Sequence, residues 1–320
     1  MNTIPDITSR FGALRERLDT VILGQERVKM LAITSLLAGG HVLLEGVPGT
    51  GKTLLSLALA RLLGCRFRRI QFTPDLMPAD LLGANVFNQK QEEFVFRPGP
   101  VFTDLLLADE INRTPPRTQA ALLESMQENA VTIDGTRYVV SPVFTVFATQ
   151  NPVEFEGTYP LPEAQRDRFL MKINIDFPEA GDEMRMLEAY AGGRRLHDDM
   201  VGSLEPVISA EELHVARRAV SSLVRVEPQI IRYIQEIVAK TRRDEAVQIG
   251  AGPRASLALL EASRAAAALA GRDFITPDDV KTLVGPVLSH RVTLSPEAEM
   301  EGMALEDLMA RIFDQVEVPR

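Results

Sequence analysis

Four runs of apolar residues punctuate the first half of the chain, each with a polar or glycine-rich stop near its carboxyl end. They are His41 to Glu45, Val101 to Leu107, Val143 to Thr149, and Met171 to Ile175. Continuous apolar runs of this length suit strands buried on both faces of a parallel sheet. Arg69 to Thr73 alternates apolar and polar residues and predicts a shorter strand. Two further segments alternate around turn residues and predict β-hairpins. One is Ala84 to Pro100, with Gln89 to Glu92 as its polar tip. The other is Val131 to Val140, turning at Asp134-Gly135. Between these lie helical spacings: residues 9 to 20 with Phe11, Leu14 and Leu18 on one face, and Glu26 to Leu37 before Gly39-Gly40. Others are Leu54 to Leu63, Pro115 to Gln127 with Ala121, Leu122 and Met126, and a short start at Leu161 to Phe169. Thr73 to Asp80 reads as a helix start broken by prolines.

After Phe177-Pro178 the strand patterns stop. Gly192-Gly193 and the charged stretch Arg194 to Asp199 read as a linker, and the remainder reads as helical. Ser209 with Glu212 forms a capping box ahead of Leu213, Ala216 and Val220. Ile230, Tyr233, Ile234, Ile237 and Val238 stripe a second helix. Pro253 opens an Ala-rich third that stops at Gly271. Thr276-Pro277 caps a fourth, and Ser295-Pro296 starts the last. The expected organisation is an α/β nucleotide domain at 1–195 and a small all-α domain at 205–320.

Composition narrows the class. With 320 residues, two domains are expected. Lys and Arg number 35 against 44 Asp and Glu, a net charge of −9, which disfavours a generic hold on nucleic-acid phosphates. No apolar run is long enough to cross a bilayer, so no membrane insertion is expected. A single cysteine, Cys65, excludes an internal disulfide and suits a reducing, cytoplasmic location, and with 4 His it offers no zinc-like spacing.

The chemistry concentrates where the first apolar run ends. Gly46-Val47-Pro48-Gly49-Thr50-Gly51-Lys52-Thr53 fits G-x-x-x-x-G-K-[ST], between a strand and a helix. Its glycines let consecutive amides face phosphate oxygens, Lys52 supplies a point charge, and Thr53 supplies a hydroxyl for Mg²⁺. Asp109 and Glu110 end a second apolar strand, where open α/β sheets place their ligands. Asp109 is expected to hold Mg²⁺ through water and Glu110 to polarise the attacking water. Asn151 ends a third and is placed to touch a γ-phosphate or that water.

The order of phosphate loop, Asp-Glu strand end, strand-end Asn, Arg-bearing helix and helical second domain resembles AAA+ ATPases. Gly39 to Gly46, Ala108 to Arg113, Ala148 to Pro152 and Gly250 to Ala255 resemble the MoxR family more closely, with likeness from about Val21 to Pro319. The resemblance implies a P-loop AAA+ core, with a five-stranded parallel sheet and β-hairpin insertions, under a helical lid. It implies hexameric rings with ATP between subunits, a hairpin inserted in the helix after the second strand, and another before the sensor strand. Asn151 matches sensor 1. Arg254 matches a lid arginine reaching the γ-phosphate in the same subunit, and Arg168 a finger reaching the neighbour's nucleotide. Ile22 and Gly24 fall among the nucleotide-binding positions. Arg166 stands where the family more often has Leu, so either Arg166 or Arg168 is the finger; Gly252 replaces a usual Ser.

ATP hydrolysis coupled to remodelling or maturation of a partner protein, often one with a von Willebrand factor A domain, is the function so implied. Alternatives are a nucleic-acid motor, a metal-chelatase motor subunit, and a nucleotide-gated switch that does not hydrolyse. Against the first stand a second hairpin tip, Ile133 to Arg137, with one acid, one base and no exposed aromatic, and a first tip that is not basic. Against the last stands Glu110, which a pure switch need not keep.

Overall fold

The computed structural model describes residues 1–151, 157–193 and 201–319. Pro152 and the linker expected at Arg194 to Asp199 lie outside the described residues. Helix α1 (Ile4–Asp19) begins at Ile4 rather than at residue 9. Thr3 accepts from the Asp6 amide, Pro5 sits in the first turn, and Ile4 and Ile7 extend the buried face of Phe11, Leu14 and Leu18. Helix α2 (Glu26–Ala38) ends on Gly39. Strand β1 (Val42–Glu45) leads through the glycine loop into α3 (Lys52–Leu62), and β2 (Phe67–Gln71) follows.

A five-residue helix, α4 (Pro78–Leu82), then precedes the first hairpin, β3 (Gly83–Asn88) and β4 (Glu93–Pro98). The expectation that this hairpin interrupts a helix is not met: it runs by a turn into β5 (Leu105–Asp109). Strand β5 also begins later than residue 101. The Asp104 carboxylate accepts from the Arg66 amide at 2.8 Å and the Thr103 hydroxyl donates to the Arg66 carbonyl at 2.7 Å, fixing 101–104 as a turn.

Helix α5 (Pro116–Glu128) buries Leu122, Leu123 and Met126, while Ala121 is only half-buried. The second hairpin, β6 (Ala130–Ile133) and β7 (Thr136–Val139), turns at Asp134 and Gly135, both at positive φ. Strand β8 (Thr145–Gln150), α6 (Glu163–Arg166), β9 (Met171–Asn174) and α7 (Ala180–Ala191) complete the first part. The five long-range strands pair in parallel in the order β2-β5-β8-β1-β9, so all their carboxyl ends share one edge.

The second part contains α8 (Ala210–Leu223), α9 (Pro228–Thr241), β10 (Val247–Ile249), α10 (Pro253–Leu269), α11 (Pro277–Leu288), β11 (Thr293–Leu294), α12 (Pro296–Met300) and α13 (Leu305–Asp314). The expected wholly helical remainder is therefore corrected by an antiparallel β10–β11 pair, too short to leave a readable alternation. The capping boxes at Ser209 and Thr276 form, and the stripe from Ile230 to Val238 is buried.

Alternate residues of β1 serve opposite faces of the sheet: Val42 and Leu44 join one apolar body, Leu43 the other. The first body runs without a break through α1, α2, α3 and the helices α8 to α11. Helix α10 packs on α1 and α2, and α11 on β9, so the helical part lies against the side of the sheet. Arg217 of α8 fastens it there, donating from Nε to the Leu36 carbonyl at 2.8 Å and from Nη2 to Thr145 Oγ1 at 2.8 Å. Burial lowers the pKa of this guanidinium to about 10.

The two hairpins pack together through an Asn85–Asp134 hydrogen bond of 2.7 Å and stacked Phe96 and Tyr138 rings, 4.0 Å apart. Phe87 and Phe94, edge to face at 5.3 Å, stand exposed beside the first tip, Phe94 at 71%. The alternation of that hairpin marks two faces but not which one the rest of the fold covers.

Candidate nucleotide site and its arginines

The parallel register brings the expected chemistry to one edge. Gly49 and Gly51 adopt φ of +87° and +86°, and a Cβ built on either meets nothing within 4 Å, so the loop opens onto clear space. Lys52 folds back on that loop, its Nζ donating to the Gly46 and Val47 carbonyls at 2.6 and 2.9 Å. Partial burial lowers its pKa, opposed by the negative charges of Asp109 and Glu110 nearby. Thr53 is half-buried one residue on.

Strand β8 lies between β1 and β5, and Thr149 ties the acids to it. Its hydroxyl donates to Asp109 Oδ1 at 2.6 Å and accepts from the Glu110 amide at 2.8 Å. Asn151 is buried next to Gln150, whose carbonyl accepts from the Gly46 amide at 3.4 Å. Glu110 holds φ +58°, a conformation that costs a residue with a side chain and recurs at functional positions. Hard oxygen donors from Thr53 and Asp109 suit Mg²⁺, and the open loop suits a triphosphate.

Several partners were not foreseen. Arg69 on β2 reaches Asp109 Oδ2 with Nη2 at 2.7 Å and Nε at 3.1 Å. Gln71 Nε2 donates to Glu110 Oε2 at 2.7 Å, and Arg113 Nε lies 3.1 Å from the same oxygen. Arg69 and Gln71 share one face of β2, a signal present in the alternation; that this face borders the acids depends on pairing with β5.

Gly24 lines a cavity of about 980 Å³ between α2, α7, α11 and α13. Asn174, Asp176 and Phe177 are common to that cavity and to a smaller one of about 260 Å³ over Gly46 and Val47. A Cβ on Gly24 would sit 1.8 Å from Asp182 Oδ2 at the tip of that side chain, and its φ of +67° would strain any residue with a side chain. Gln25 Nε2 ties this turn to the loop through the Thr50 carbonyl at 3.3 Å. Ile22 does not reach the cavity: its side chain is in the apolar core, its amide donates to Leu18 and its carbonyl accepts from Lys29.

The two expected arginines are elsewhere. Arg168 precedes β9, and the Leu170 amide donates to the His41 carbonyl at the amino end of β1. The phosphate loop leaves the other end of β1, roughly 17 Å away at ~3.3 Å per residue. Arg254, exposed at the start of α10, lies 3.5 Å from Asp167 and shares a shallow pocket with Arg168. Arg254 therefore stands with Arg168 near the amino end of β1, away from the loop of its own subunit, on a helical part docked by its apolar face and Arg217. Arg168 donates from Nη1 to the Leu123 carbonyl at 2.6 Å, and its Nε has no hydrogen-bond partner among the described residues. Arg166 faces Glu163 at 4.0 Å.

A family model for the ATPase family associated with various cellular activities (AAA) matches residues 41–171, and one for the AAA lid domain matches 239–312. The chain is 46% identical to the uncharacterized protein YeaC of Bacillus subtilis, over 98% of this chain and 96% of that one. It is 40% identical to Chaperone MoxR1 of Mycobacterium tuberculosis, covering 94% and 80% of the two. Protein MoxR of Paracoccus denitrificans is 33% identical over 99% of each. A crystal structure from Cytophaga hutchinsonii, of a protein assigned only provisionally as an ATPase, superposes with a TM-score of 0.90 at 35% identity, covering 99% of this chain and 97% of that one.

Proposed function

The chain belongs to the MoxR family of AAA+ ATPases, and from that premise we propose that it hydrolyses ATP with Mg²⁺ at the junction of two subunits, driving remodelling or maturation of a partner protein. The observation that carries this reading is the separation of the site into two halves on opposite edges of one sheet. Lys52, Glu110 and Asn151 form one half, with Thr53 and Asp109 as the residues that would hold Mg²⁺; Arg168 and Arg254 form the other. Held there, Mg²⁺ would supply positive charge against the phosphate oxygens. Lys52 leaves its carbonyls for the β- and γ-phosphates, and Glu110, released from Gln71 and Arg113, orients and polarises water. Asn151 steadies the same water or the γ-phosphate. Arg168 and Arg254 of a second copy grip the phosphate oxygens, for which a planar, permanently charged fork is suited. Arg168 is the finger in this reading, Arg166 being turned to Glu163.

A closed ring of such junctions, hexameric by family resemblance, a division at 1–195 and 205–320, a cytoplasmic location, and a partner bearing a von Willebrand factor A domain complete the proposal. Steady-state ATPase measured across a dilution series tests the junction. Specific activity is expected to fall as assemblies dissociate; a dilute monomer hydrolysing at the full rate would overturn it. The partner is sought with Glu110→Gln protein stalled on ATP, which should retain a protein that the ADP-bound form releases.

A further inference from the structure

Arg291 follows α11 with 2% of its side chain exposed, and all three of its guanidinium nitrogens bond to the segment that carries Arg168. Nε donates to Asp167 Oδ1 at 2.8 Å, Nη1 to the Leu170 carbonyl at 3.0 Å, and Nη2 to the Asp167 carbonyl at 3.1 Å. Further bonds run to the Phe169 and Val287 carbonyls. The adjacent His290 donates from Nε2 to the Phe169 carbonyl at 3.0 Å. The other oxygen of Asp167 faces Arg254 Nη1 at 3.5 Å. One carboxylate therefore joins Arg291 after α11 to Arg254 on α10, and its neighbour in sequence is Arg168.

Stability alone is a poor account of this cluster. A buried charge pair is often no better for folding than apolar residues of the same volume. Arg291 does more than pair: it grips three carbonyls of 167–170, fixing the backbone path from which Arg168 projects. Lysine, with one compact head, could not span the same set. Burial lowers the pKa of Arg291 while Asp167 raises it, so carboxylate and grip sustain each other.

We propose that Arg291 and Asp167 are positioning residues that hold Arg168 and Arg254 as one preset pair, so that the helical domain of each subunit sets the rate of hydrolysis in its neighbour. This rests on the reading that both arginines act across a junction. Misplacement of a catalytic group by about 1 Å can cost 10²-fold in rate.

The test uses full-length Arg291→Lys and Arg291→Met proteins, with ATP as ligand. Expected are unchanged ATP affinity and KM, and a kcat lowered about 10- to 100-fold, by less in the lysine variant. Each is then mixed with Glu110→Gln subunits, whose own sites are dead but whose arginines are intact. Activity should recover, because the Arg291 variant retains a complete phosphate site. An Arg168→Ala and Glu110→Gln mixture is the control. Recovery with Arg168→Ala but not with the Arg291 variants overturns the positioning role alone, whereas recovery with neither, in confirmed mixed assemblies, overturns the junction reading beneath it. If the Arg291 variants do not fold, Asp167→Asn, which keeps the carbonyl bonds, carries the test; a wild-type kcat there, or in any folded variant, overturns the proposal.

Discussion

Lys52 and Glu110 are bound to different partners, and their loss should register differently. Lys52→Ala removes a phosphate contact, so ATP affinity should fall at least about 10-fold and turnover should vanish. Glu110→Gln keeps the shape but loses the charge that polarises water, so binding should persist while turnover drops about 100-fold or more. Equal losses of affinity, by equilibrium binding of a fluorescent ATP analogue, would contradict these roles. His41 makes a prediction about pH. Its ring is buried, accepts from the Val146 amide at Nδ1 and donates from Nε2 to Met126, and burial holds its pKa down to about 4. His290, buried beside Arg291, is depressed in the same direction. The unfolded chain binds these protons near pH 6.5, so the stability His41 contributes is complete above that and lost as pH falls toward 4, about 3 kcal/mol in all. Denaturant unfolding between pH 7 and 4.5 should show a shallower slope for His41→Asn than for wild type. The loop motif and the Asp109-Glu110 pair were legible as a candidate site because motif and strand ends are local. Arg69, Gln71, Asp167 and Arg291 were not, because each acts on a residue more than one element away.

Among elements, the five strands of the parallel sheet and both hairpins were legible from period and turn chemistry, whereas β10 and β11 were not, and misjudged boundaries trace to side chains that override it, as Asp104 and Thr103 do at β5. What period could not supply is the docking of the helical part, which decides where Arg254 points. The first hairpin shows the same limit. Phe87 and Phe94 could stack on bases, yet between Gly83 and Pro98 Lys90 and Arg97 are balanced by Glu92 and Glu93, leaving no basic groove. DNA, single- or double-stranded, is therefore expected to leave the ATPase rate unchanged at physiological salt. Marked, salt-sensitive stimulation would favour the nucleic-acid motor instead. Phe87→Ser with Phe94→Ser should keep basal hydrolysis within about 2-fold, since neither touches the phosphate site, and weaken stimulation by the captured partner. Unaltered stimulation would remove the hairpin from partner contact.

At the scale of the whole molecule, one apolar body runs from α1 through α10 to α13 with Arg217 at its seam, so the two parts should not melt separately. Calorimetry is expected to show a single transition whose calorimetric and van't Hoff enthalpies agree; two resolved peaks would mean the helical part unfolds alone. Arg217→Met leaves the Leu36 carbonyl and Thr145 hydroxyl without this donor, and should cost about 1–3 kcal/mol in that transition. Phosphate loop and arginine pair also stand at opposite ends of the same strand, β1. Copies joined loop to arginine can only follow one another head to tail, so traffic around a circle of them has a direction. In the ring proposed above, a change at one member's site would therefore bear first on the neighbour on one side only.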